Sequence, residues 1–149
     1  MIRVESSIKP QPIKSKILKD AAQAALNHQA ANGDIVILLT DDKKLHQLNR
    51  EFLGIDRPTD VLSFPASETD PETGDRYLGD IIISIERAQE QAHAAKHPLE
   101  AEAQLLIVHG ILHLLGYDHA NAKEKTKMWK VQGEILESLG LGKIQIREE

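Results

Sequence analysis

Residues 99–119 read LEAEAQLLIVHGILHLLGYDH. From Leu99 to Leu115 the apolar side chains leave almost no polar face. A helix that is apolar all round belongs inside the molecule, with other elements packed on every side. A chain of 149 residues has room for one domain built this way. The stretch therefore decides the fold class: α+β (mixed α/β), a small sheet flanked by helices, with this helix buried at the centre. Pro98 suits the first helical position, and Glu100 and Glu102 suit the positive end of the helix dipole.

The same stretch holds His109, His113 and His119, with Gly116 between the last two. His109 and His113 are one helical turn apart, so their Cβ atoms lie about 5–6 Å from each other on one face. Two imidazoles so placed can share one ion at about 2.0–2.1 Å each. His119 cannot join them in a continuous helix, which would carry it about 9 Å farther along the axis and turn it away. The helix has to break, and Gly116 stands where the break is needed, because glycine takes the left-handed conformation at little cost. The spacing matches the zinc metalloprotease helix HExxHxxGxxH, with Gly110 where the protease keeps its glutamate. Three neutral imidazoles suit one zinc ion with a fourth position open, and nickel accepts the same donors. Without the glutamate, peptide hydrolysis by that route lacks its general base. A metal alone still lowers the pKa of water to about 7 and polarises an oxygen, which suits phosphoryl chemistry. Asp118 is the candidate catalytic proton acceptor, and its second reading is a partner that orients a histidine. Tyr117 reads as a packed ring with a satisfied hydroxyl.

Outward from the motif, the pattern predicts about four strands and about five helices. Ile2–Glu5 is a short edge strand, and 14–31 a helix with an apolar stripe from Ile17 to Leu26, stopped by Asn32-Gly33. The β-branched run DIVILLT (34–40) is a central strand. Asp41 or Asp42 caps a helix that buries Leu45, Leu48 and Phe52 and ends at Gly54. Pro58 and Pro65 bracket a strand over 60–64, SETDPETGD (67–75) is a turn-rich loop, and 77–84 is a strand built on Ile81, Ile82 and Ile83. Helices follow over 85–96 and 122–139, the last burying Met128, Val131, Ile135 and Leu139, and the tail IQIREE is loose.

Composition narrows the function. There is no cysteine, so any metal must sit on His, Asp or Glu. The N-terminus has no apolar signal segment and no run is long enough to span a bilayer, which predicts a cytoplasmic protein without a membrane partner. The net charge of −5 argues against broad non-specific nucleic-acid binding while leaving room for a local basic groove. His28, His46, His93 and His97 read as surface residues, and Lys14, Lys16 and Lys19 as a solvated helix face.

HGILHLLGYDH, together with PTDVLSFP (58–65) and LGDIIIS (78–84), resembles the YbeY family of bacterial metallo-endoribonucleases. Three blocks in the right order cover the chain from about Asp34 to Gly140. The resemblance implies a zinc ion held by His109, His113 and His119, in a single domain spanning 1–149. It further implies a single-strand-specific endoribonuclease that matures the 3′ end of small-subunit ribosomal RNA, takes part in ribosome quality control, and meets the small subunit or its proteins in the cytoplasm. One position departs. Family members commonly carry an arginine, thought to hold RNA phosphate, where this chain has Leu53, and the nearby Arg50 and Arg57 are candidates to replace it.

Two other readings remain beside the endoribonuclease. A metalloprotease-like hydrolase rests on the ligand spacing and is weakened by Gly110. A non-catalytic ribosome-assembly factor with a structural zinc rests on Leu53 and the acidic balance. The sequence leaves open the oligomeric state, the metal, and whether water or the RNA 2′-hydroxyl attacks.

Overall fold

The computed structural model describes residues 1–66 and 68–144. The elements run β1 (Ile2–Ser6), α1 (Ser15–His28), β2 (Asp34–Thr40), α2 (Asp42–Leu53), β3 (Val61–Pro65), β4 (Tyr77–Ser84), α3 (Ile85–Ala95), α4 (Leu99–Leu114) and α5 (Ala122–Ser138). The mixed α/β architecture expected from the sequence is the one observed. The sheet order is β1-β2-β4-β3, with β1, β2 and β4 parallel and β3 antiparallel on the far edge. Residues 145–149 of the predicted tail IQIREE (144–149) and Ser67 of the turn-rich loop lie outside the described residues.

Strand alternation divides the sheet's side chains between two layers. Ile37, Leu39, Ile81 and Ile83 join the large core with α1, α3, α4 and α5. Leu38, Leu62 and Ile82 turn the other way and meet Leu45 and Leu48 of α2 in a smaller cluster. α4 sits as the all-apolar pattern requires. It packs on α1, α3, α5, β3 and β4, and its residues from Leu105 to Leu112 are all buried.

Local chemistry sets the helix ends. Asp41 caps α2 by accepting from the backbone N–H of Lys44 at 2.9 Å, and Gly54 ends it in the left-handed conformation. Asn121 caps α5 in the same way, accepting from Glu124 N–H. Pro98 is the N-cap of α4 rather than its first helical residue.

Two further expectations change. Phe52 is 64% exposed, because α2 turns its buried stripe through Leu45 and Asn49 and leaves Phe52 meeting Phe64 only edge-on. His97 is not a surface residue. Its Nε2 lies 2.6 Å from Oε1 of Glu102, which is fully buried, so this glutamate serves a buried pair as well as the helix dipole.

Candidate metal centre

The centre is built at the C-terminal end of α4. Leu115 closes the helix, and Gly116 follows with φ +99°. The Gly116 N–H donates to His113 O at 3.0 Å and the Tyr117 N–H to Leu112 O at 2.9 Å. That pair of bonds is a Schellman ending, which turns the chain back over the last helical turn. The turn brings His119 beside the two helical histidines. Ring centroids are 4.6 Å apart for His109 and His113, 5.4 Å for His113 and His119, and 5.9 Å for His109 and His119. One ring nitrogen from each histidine falls within 4.8 Å of the others.

The tautomer of His109 follows from its partner. Its Nδ1 lies 2.9 Å from Oε1 of Gln132, a carbonyl-type acceptor on α5. Nδ1 therefore carries the hydrogen, and Nε2 presents a lone pair to the centre. That Nε2 lies 3.1 Å from Nε2 of His113. Nitrogens bound at 2.0–2.1 Å around a tetrahedral ion sit about 3.3–3.4 Å apart. The helical pair stands near that spacing and the His119 nitrogen lies within 4.8 Å of it, a group that could hold a single cation that accepts imidazole.

Burial favours the neutral form of His109 and His113. It is the largest cause holding His109 down at about 4, with the neighbouring His113 adding to it and the bond to Gln132 opposing. Burial also lowers His113, followed by His119, against the opposing charge of Asp118. A neutral imidazole is the form that ligates. The sign for stability follows. Between about pH 6.5 and about 4 the unfolded chain binds a proton on residue 109 that the folded chain does not. The metal-free protein is therefore expected to lose up to about 3 kcal/mol of stability across that window as pH falls. Urea midpoints at several pH values read this directly, and a flat profile would refute the assignment.

Gly110, the missing glutamate, has a steric explanation. Its position is buried against the sheet, where Ser63 Oγ donates to the Gly110 carbonyl at 3.2 Å. A Cβ there would stand 3.0 Å from Ser63 Oγ and 3.3 Å from two carbons of Ile81. A side chain at 110 would enter the helix–sheet interface, so no general base comes from this position.

Asp118 is exposed, and its Oδ1 accepts from the backbone N–H of His119 at 2.7 Å. Its first role is thus on the loop that presents His119, with the second carboxylate oxygen left toward solvent. Leu53 is exposed at the end of α2 and shares a surface cleft with Arg57 and Asp60. Sequence reasoning missed two residues of the site. Gln132 reads as polar but falls inside the buried stripe with Met128, Ile135 and Leu136. Trp129, the single tryptophan, lies 5.8 Å from the His109 ring and 5.7 Å from the His119 ring.

Comparison with known proteins accords with this geometry. The family model described as Endoribonuclease YbeY matches residues 3–140. A relative from Persephonella marina, named Endoribonuclease YbeY, is 41% identical over 140 residues, covering 93% of this chain and 92% of its own. One of the same name from Shouchella clausii is 43% identical over 147 residues, covering 93% and 90%. The solution structure of TM1509 from Thermotoga maritima superposes with a TM-score of 0.58 at 28% identity, over 94% of this chain and 92% of that one. With the family match running through all but the ends and the relatives aligned over nearly their whole length, the chain belongs to the YbeY family.

Proposed function

We propose that this protein is a zinc-dependent endoribonuclease that cuts single-stranded RNA, with the 3′ end of the small-subunit ribosomal RNA as its substrate. The observation that carries the reading is the convergence of three histidines on one point, in a chain whose relatives at 41% and 43% identity are named endoribonucleases. Zinc is favoured because the donors are three imidazoles with no carboxylate or thiolate among them. When bound, zinc would supply a Lewis acid for a phosphate oxygen and would lower the pKa of an attacking water.

The chain's own residues supply the rest. Gln132 fixes the His109 tautomer, and the Gly116 turn sets His119. Burial excludes competing protons from His109 and His113. Asp118, whose Oδ1 accepts from the His119 N–H, would be the proton acceptor beside the triad. The packing of Gly110 leaves no protease-type base, which disfavours the peptidase reading. Among the described residues no helix is long and apolar enough to cross a membrane, in keeping with work on ribosomal RNA in the cytoplasm.

The test is cleavage of single-stranded precursor RNA, its duplexed form and an unstructured peptide, before and after chelation. The expected result is cutting of the single strand alone, lost on chelation and restored by zinc. Cleavage that survives complete metal removal would overturn the proposal. A folded, zinc-loaded protein inert on RNA, both free and on immature subunits, would favour the assembly-factor reading instead.

A further inference from the structure

Residues 123–130 of α5 read KEKTKMWK, four lysines against one glutamate, in a chain whose net charge is −5. The segment begins four residues after His119. Its rotation is fixed by Met128 and Gln132, which are buried. Lys123, Lys127 and Lys130, spaced i, i+4 and i+7, consequently share the outward face, and all three are exposed. None of the three forms an ion pair among the described residues; Lys127 instead lies 5.6 Å over the Tyr117 ring. Trp129 stands on the flank between the buried stripe and this face. It is partly exposed and inclined at 64° to His109 and 58° to His119, so neither imidazole stacks flat on the indole.

An unneutralised lysine row attracts phosphate. A partly exposed aromatic ring on the same helix as those lysines offers a nucleobase a stacking surface independent of sequence. We propose that the first half of α5 is the docking face for single-stranded RNA. Trp129 stacks on a base beside the histidine triad, and Lys123, Lys127 and Lys130 hold the flanking phosphates. The proposal rests on the ribonuclease reading above and extends it by naming the binding surface. It also accounts for strand preference, because bases in a duplex are stacked on one another and cannot reach the indole.

The test uses the zinc-loaded protein and a labelled 2′-O-methyl RNA of about 12 nucleotides, within the usual site size of such surfaces, checked on a gel to remain intact. Because Trp129 is the single tryptophan, intrinsic fluorescence reports on this site alone, and RNA is expected to quench it. Trp129→Ala is expected to weaken binding about tenfold and to raise KM for cleavable RNA more than it lowers kcat. Zinc content should be unchanged, and Trp129→Phe should restore most of the affinity. Lys123→Gln with Lys130→Gln touches no histidine, and it should reduce the slope of log affinity against log salt by about 1.4, at about 0.7 per phosphate contact on a single strand. Wild-type affinity in Trp129→Ala, or an unchanged salt slope in the lysine variant, overturns the proposal while leaving the nuclease reading intact. So does stronger binding of polyglutamate than of RNA, which would make the face a protein-docking surface. A wild-type protein that neither binds nor cuts RNA defeats the nuclease reading itself, a different result from any of these.

Discussion

Replacing His113 with alanine is expected to abolish stoichiometric metal binding and to lower RNA cleavage by more than about a hundredfold. The magnitude has a floor, because losing even a partner that only orients a ligand costs 10–100-fold in affinity or activity, and His113 is itself a donor. The residue is partly exposed and lies in the last turn of α4, so its truncation leaves the helix–sheet core in place. A circular dichroism melt close to wild type, beside a zinc content near zero, separates this outcome from unfolding. Gln132→Ala supplies the graded comparison. It frees Nδ1 of His109 from its acceptor, and the ring can then populate the other tautomer, with the hydrogen on the atom that should face the metal. Zinc affinity in that variant is expected to fall about 10–100-fold, between wild type and His113→Ala. Equal cleavage by wild type and His113→Ala would mean that the triad is not the active site.

The order of these effects follows from what the sequence could and could not disclose. The triad was legible because each of its spacings has a mechanical cause: one helical turn from 109 to 113, a left-handed glycine at 116, and a return of the chain at 119. The parallel strands β2 and β4 were legible for a similar reason, since strands covered by helices on both sides of a parallel sheet read as nearly unbroken apolar runs rich in β-branched residues. Partners from elsewhere in the chain were not. Gln132 lies 23 residues from His109, and only tertiary packing brings them together. Its one local trace is an amide inside an apolar stripe, a sign that a buried polar group has found a partner. The same applies to Glu102, which periodicity assigns to the dipole of α4 and which folding buries against His97. Phe52 fails in the opposite direction. Its spacing from Leu45 and Leu48 suits the buried face, but the buried stripe of α2 runs through Leu45 and Asn49, and the ring stays in solvent with only an edge-on contact to Phe64 of β3.

Restoring the protease glutamate, Gly110→Glu, is expected to unfold the protein rather than create a peptidase. Alanine sets the baseline. It gains about 1 kcal/mol of helix propensity over glycine, but its Cβ arrives 3.0 Å from Ser63 Oγ and 3.3 Å from Ile81. Overpacking of this kind costs about 1–3 kcal/mol, so Gly110→Ala should be mildly destabilised, by about 0–2 kcal/mol. Beyond that Cβ, glutamate adds a methylene and a carboxylate in an interface where Ile81, Val108 and Ile111 are all 0% exposed. No described cation waits there to pair with it, and a buried unpaired charge is among the few single changes that exceed about 4 kcal/mol. For a chain of this size, 1 kcal/mol corresponds to roughly 2–4 °C, so a fall in Tm of at least about 8 °C is expected, with loss of RNA cleavage from helix displacement at the triad. Thermal melts of the two variants, with peptide and RNA assays at a temperature where each is folded, decide the matter. A Gly110→Glu protein as stable as wild type would show that position 110 opens to the metal and not to the sheet. The missing glutamate would then be a chemical choice, where the packing against β3 and β4 makes it a steric one.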